Sequence, residues 1–134
     1  MDAVGTVGGV LLSKAASLVG ARWGERRKAR EAARGRLRSV VAHVQAQLDT
    51  ADAFHVMAQR RLDVDAAIGE LRALLGDRAR ARFDVAIADY SVARDAVQPA
   101  FLVFLESQAI GRPIDQSARA RLVEALRALL AAAK

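Results

Sequence analysis

The chain has 134 residues and a hydrophobic share of 53%, enough apolar side chain for one modest core and too much for global disorder. It contains no cysteine, which removes disulfides, thiolate nucleophiles and cysteine-ligated zinc from consideration. The net charge of +6 is confined to one place: residues 22–38 hold eight basic and two acidic residues, while the segments on either side are each neutral. Ala, Leu and Arg are the strongest intrinsic helix formers, and they dominate. Aromatics are 4% and no alternating β-branched runs occur, so the composition predicts an all-α fold.

The first element is apolar. Residues 3–21, AVGTVGGVLLSKAASLVGA, contain a single charge, Lys14. A secretory signal peptide would place its positive charges before such a run, whereas this chain opens Met1-Asp2 and its positive charges come afterwards. A helix of this length just reaches across a bilayer's hydrocarbon, with Lys14 near its middle costing roughly 2.5–3.5 kcal/mol. A third reading is a small-residue helix buried in a protein assembly. Gly5, Gly9, Ser13, Ser17 and Ala21 recur at every fourth position, a ridge that lets a second helix backbone approach closely. Ala16, Gly20 and Gly24 form a second small row beside it. The ridge points to a homo-oligomer formed through this helix.

The basic collar follows. Arg22, Arg26, Arg30, Arg34 and Arg38 repeat at four-residue spacing, with Arg27 and Lys28 to the side. Five like charges at i,i+4 repel by a few tenths of a kcal/mol per pair, which an anionic partner would relieve. Trp23 stands where the apolar run meets the collar, the boundary that indole favours in membranes. Leu37, Val40, Val41, Val44 and Leu48 then make an apolar stripe, so one long helix is predicted to about Asp49, with Gly24 and Gly35 weakening it by about 1 kcal/mol each.

Residues 50–62 predict a short helix capped by Thr50 or Asp52. Asp63 or Asp65 is placed to cap the next, with Ile68, Leu71, Leu74 and Leu75 inward and Gly76 ending it. Asp77 opens a helix to about Asp95 that carries Ala79, Phe83, Ala86, Ile87 and Tyr90 on one face. Pro99 fits the first turn of PAFLVFLES, GRP at 111–113 is a break, and Asp115 caps a last helix with Leu122, Leu126, Leu129 and Leu130 inward. Short connections predict a small antiparallel bundle. The organisation expected is a hydrophobic N-terminal helix over 1–21, continuing into a helical bundle domain over 22–134 that begins with the collar at 22–38.

RARFDVAIADY (80–90), preceded by AAIGELRALLG and followed by ARARLVEALRALLAAAK, resembles a set of uncharacterised bacterial helical proteins. These tend to combine an apolar N-terminal segment, a basic helix, an R-F-D-x-A-W-x-x-Y-like helix and an Ala/Leu-rich last helix. Phe83, Asp84, Ala86 and Tyr90 occupy the pattern's positions, and Ile87 stands where it has an aromatic. The resemblance implies a helical fold with a membrane-proximal N-terminus and implies no activity.

Chemistry is sparse. His43 and His55 are the two histidines, too few imidazoles for a metal site, and His43 beside the valine stripe is expected to be partly buried. His55 shares a helical face with Asp52 and Gln59. No H-E-x-x-H, Walker loop or G-x-S-x-G occurs, and GTVGGV at 5–10 lacks a preceding strand. Asp84 and Asp95 are expected to pair with arginines, and Tyr90 to anchor the core with its hydroxyl at the rim. We therefore expect no enzyme, no metal, no cofactor and no small-molecule substrate.

Three partners compete for Arg22, Arg26, Arg27, Lys28, Arg30, Arg34 and Arg38: water alone, an anionic membrane surface, or nucleic acid. A basic cluster directly after an apolar run is the positive-inside pattern and points to the membrane, with Trp23 as the interface anchor. Nucleic-acid binding would use the same row on phosphates, yet it lacks stacking aromatics and basic charge elsewhere. The sequence thus favours a membrane-associated anchoring, scaffold or assembly protein of the inner membrane with its C-terminal domain in the cytoplasm. The alternatives are a soluble basic helical nucleic-acid binder and an oligomeric structural subunit with residues 3–21 buried in self-contacts.

Overall fold

The computed structural model describes residues 2–97 and 116–134, with side chains over 20–97 and from 117 onward. Among the described residues there are four α-helices and no strand: α1 (Asp2–Leu48), α2 (Ala53–Leu74), α3 (Asp77–Ala96) and α4 (Gln116–Ala132). The Pro99 segment, the break at 111–113, the Asp115 cap and the side-chain packing of Gly5, Gly9, Ser13 and Ser17 lie outside the described residues.

The segment 53–74 forms one helix where the sequence suggests two. Ala53, Val56, Met57, Val64, Ala67, Ile68 and Leu71 are buried along it on one helical face, which keeps its phase across the turn at Arg60 and Arg61. Asp52 caps its start, accepting a hydrogen bond from the Phe54 amide at 3.3 Å. Asp63 and Asp65 cap nothing. Their carboxylates face arginines instead, Arg60 to Asp63 at 3.5 Å and Arg61 to Asp65 at 3.8 Å, so they do not compete for the backbone and the helix runs through them. Gly76 also differs from expectation: it is extended, at φ −72° and ψ 169°, and occupies the N-cap position of α3, not a left-handed helix end.

Polar contacts establish the topology. Arg36 on α1 meets Glu70 on α2, and further along Arg60 Nε donates to Gln47 at 3.1 Å, so these helices run antiparallel. Arg72 with Asp84, and Arg94 with Asp65, set α3 antiparallel to α2. Arg34 donates to the Ala133 carbonyl while Arg119 reaches Asp49, which closes the ring with α4 antiparallel to α1. The result is an up-down-up-down bundle. α1 lies closest to α2, and α3 to α4. Ala93 and Ala125 line one shallow groove between α3 and α4, and small side chains at that seam allow the close approach.

The core is apolar throughout. Leu37, Val41, Val44 and Leu48 from α1 are buried with Phe83 and Tyr90 from α3 and Leu122, Leu126 and Leu129 from α4. Val40, Leu74, Ile87 and Leu130 are half-buried at its edge. His43 is exposed, contrary to expectation, because a position adjacent to Val44 in sequence lies roughly 100° round the helix.

α1 is much longer than its neighbours. Its first buried described residue is Ala33, opposite the C-terminal end of α2 and the chain terminus at Lys134. Residues 20–28 are all exposed, so the bundle covers none of them. The helix from Asp2 to residue 32 runs roughly 45 Å beyond the core. Two outcomes follow for the bundle itself. Leu126→Ala should cost about 2–5 kcal/mol in urea unfolding through lost burial and a residual cavity. Gly35→Ala should add about 0.5–1 kcal/mol by the same measurement, since a Cβ there meets open space on an exposed helical position.

Candidate functional site

The face of α1 that carries Ala33, Leu37 and Val44 into the core does not stay apolar beyond the bundle. At about 100° per residue, Arg30, Arg26, Trp23 and Arg22 fall on that same face. Together with Leu74 and Gly76 from the α2–α3 turn they line a cleft of about 430 Å³. Two elements therefore build it: the emerging helix supplies the cations and the indole, and the turn supplies an apolar wall and bare backbone. Trp23 is 72% exposed. Arg22 and Arg26 are exposed, whereas Arg30 is half-buried with Nε shut off from solvent and without a hydrogen-bond acceptor among the described residues.

The five-arginine row of the sequence is divided by the structure. Four residues turn a helix by about 400°, so each step drifts about 40°, and Arg34 and Arg38 have rotated away from Arg22. Arg34 and Arg38 line a separate depression with Glu31 and Lys134. Arg34 Nε donates to the carbonyl of Ala133 at 2.5 Å, satisfying an end carbonyl of α4 and placing a cation at that helix's negative end. Arg27 faces Glu31 at 3.6 Å on the exposed surface. Arg22, Arg26, Lys28, Arg30 and Arg38 form no ion pair among the described residues.

Several other arginines of the bundle have protein partners. Arg36 is joined to Glu70 on α2, and Arg72 holds Asp84 through two hydrogen bonds of 2.6 and 3.1 Å. The hydrogen bond from Arg36 keeps the Glu70 carboxyl below its ordinary pKa, and the one from Arg72 does the same for Asp84; both guanidiniums are raised in return. Arg80 donates to the carbonyls of Arg72 and Leu75, finishing the C-terminal turn of α2. His55 lies 3.2 Å from the capping Asp52 and edge-on to Phe54.

Tyr90 departs from expectation. It is 1% exposed, and its hydroxyl is buried with no hydrogen-bond acceptor or donor among the described residues. Arg94, one turn later, lies 5.4 Å from the ring centroid and holds Asp65 at 3.1 Å, so the guanidinium covers the rim where the hydroxyl would have emerged. Burial raises the phenol pKa to about 12, with the nearby Asp65 charge adding to the effect.

The cleft at Arg22, Arg26 and Arg30 contains no carboxylate, imidazole, thiol or hydroxyl among its described lining residues. What it can do chemically is hold an anion. By contrast, the broader groove along α4 mixes Arg119 and Arg127 with Asp49 and Glu124 and has no preference of sign. Leu74 and Gly76 are the site residues that sequence reasoning missed. The Leu-Leu-Gly turn was legible, but its placement against the collar depends on α1 and α2 sharing a register. No family model, no curated protein and no solved structure matches this chain.

Two titrations follow. Tyr90 is the chain's sole tyrosine, so its ultraviolet tyrosinate absorbance in the folded protein should titrate near pH 12, against about 10 once unfolded. Its folded pKa is raised, so its stabilising effect is complete below the unfolded pKa and is lost as pH climbs through the folded one. Asp84 and Glu70 act in the opposite sense. Their folded pKa values are lowered, so their contribution holds above the unfolded carboxylate range and disappears as pH falls through the folded values. Asp84→Asn should accordingly flatten the acid limb of a stability-against-pH profile and leave the alkaline limb unchanged.

Proposed function

We propose that this protein is a non-enzymatic, membrane-associated helical anchor or scaffold. Its N-terminal helix leaves water, its collar meets the anionic leaflet, and its bundle stands on the cytoplasmic side. The observation that carries this reading is the overhang of α1: residues 20–28 project past the bundle with every side chain exposed, Trp23 among them, as the continuation of an apolar segment. A glycine-bearing helix is marginal in water without packing partners, and residues 20–28 have none among the described residues. An apolar medium, or copies of the same helix within it, supplies what the bundle does not.

The order of parts supports the orientation. Apolar segment, indole and cations follow one another along one helix, and positive charge on the bundle side would hold that side in the cytoplasm. The side-chain packing of residues 3–19 lies outside the described residues, and among the described residues no helix is long and apolar enough to cross a membrane. Whether 3–21 spans the bilayer, pairs along Gly5, Gly9, Ser13 and Ser17, or does both belongs to this proposal.

Fractionation tests it directly. The full chain should stay with membranes through a high-salt wash and then an alkaline carbonate wash. Release by salt alone would indicate a peripheral or polyanion-binding role and overturn the anchor. Mixed with vesicles containing anionic lipid, Trp23 should move to shorter emission wavelength and become shielded from a water-soluble quencher. Replacing any one of the exposed collar cations by glutamine should weaken vesicle partitioning by about 1 kcal/mol, roughly fivefold, with the effect vanishing at high salt.

A further inference from the structure

We infer that the cleft formed by Arg22, Trp23, Arg26 and Arg30 against the α2–α3 turn is a discrete binding site for a phosphate monoester. The inference deepens the membrane reading, on which it rests for the source of the ligand: the phosphate of a lipid headgroup, or the same group in a dissolved ester. Three guanidiniums enter one cleft whose lining, among the described residues, includes no acid. The collar's glutamates do not enter it: Glu31 is engaged with Arg27, and Glu25 lies roughly 100° round the helix from Arg26. Local charge of this density is balanced best by a dianion, and a phosphate monoester carries about −1.5 to −2 at neutral pH.

Arg30 supplies the second observation. Its Nε is withdrawn from solvent without an acceptor among the described residues, as is that of Arg94. Arg94, however, holds Asp65 through Nη1, and Arg34 and Arg80 reach carbonyls, whereas Arg30 has no ion pair or hydrogen bond among the described residues. A desolvated cationic donor left unsatisfied is costly, and an oxygen acceptor brought by a ligand removes that cost. Guanidinium also matches phosphate geometry through paired N–H groups, which an ammonium does not.

The walls fit the remainder of such a molecule. Trp23 and Leu74 present apolar surface beside the cations, suited to a glycerol backbone or the root of an acyl chain. Gly76 brings bare backbone to the same cleft, and as the N-cap of α3 it offers no side-chain cap, so the positive end of α3 opens beside the site. Asp77, the first residue of α3, is exposed and is not part of the lining.

Trp23 is the chain's sole tryptophan, so its fluorescence reports on this cleft directly. The full-length chain, in a non-ionic detergent where needed, is titrated with inorganic phosphate and glycerol 3-phosphate. In parallel it is mixed with phosphatidylcholine vesicles containing phosphatidic acid or, at matched surface charge, oleate. The expected result is a saturable change with a phosphate probe that Arg30→Gln and Arg26→Gln each weaken about tenfold or more. Lys28→Gln removes the same charge from another face of α1 and should change binding of the dissolved phosphates by no more than about twofold. Oleate vesicles should not distinguish Arg30→Gln from Lys28→Gln.

A response to phosphatidic acid vesicles without one to dissolved phosphates assigns the ligand to the headgroup. A saturable response to glycerol 3-phosphate with no vesicle flotation upholds the cleft while overturning the membrane reading. Equal weakening by Arg30→Gln and Lys28→Gln, or no saturable response to any phosphate probe, overturns the site. Should Arg30→Gln lose helicity by circular dichroism, Arg26→Gln, whose side chain is exposed, decides between these outcomes.

Discussion

A mismatch of helix lengths governs this molecule. α1 has 47 residues, while α2, α3 and α4 have 22, 20 and 17, so the bundle sheathes only the C-terminal part of α1. Among the described residues burial begins at Ala33, where the ends of α2 and α4 stand. Residues 20–28, N-terminal to that point, are all exposed. The first part of the collar is thus the exposed length of a helix whose C-terminal part is packed in the bundle.

Arginine performs two different tasks along this chain. Inside the bundle it joins seams: Arg36 to Glu70, Arg72 to Asp84, Arg94 to Asp65 and over Tyr90, Arg34 to the end of α4. These exposed or half-exposed pairs add register and orientation more than stability, since burial of Leu, Val and Phe supplies the driving force. On the overhang Arg22, Arg26 and Arg30 meet no carboxylate among the described residues. The charge there is directed outward, and the arrangement of Arg22, Arg26 and Arg30 around Trp23 concentrates it on the face that elsewhere enters the core.

The continuity of that face links fold to function. A helix face aimed at the core keeps its azimuth when it leaves the bundle, so it passes beside the turn between α2 and α3. Replacing apolar residues there with arginines turns what would have been a sticky extension of the core into a cationic groove. Leu74 and Gly76, which end one helix and begin another, become the opposite wall by virtue of position alone.

Much of the fold was legible in the residues. Helical propensity and the 3–4 spacing of Leu37, Val41, Val44 and Leu48, or of Phe83, Ala86 and Tyr90, identify buried faces because local periodicity reflects which side meets the core. The confinement of net charge to 22–38 was equally plain, as was the absence of thiol chemistry. Local sequence was less informative where a side chain had two uses. Asp63 and Asp65 read as caps, yet arginines one turn away and on α3 claimed them, and the helix ran on. Tyr90's hydroxyl and the division of the arginine row depended on neighbours distant in sequence and on helical drift summed over several turns. By itself the sequence determined helices, an apolar start and a cationic collar, since these follow from propensity, periodicity and charge count. Only tertiary structure decided where the bundle stops along α1 and which arginines share a cleft, because register between helices is set by packing across the core.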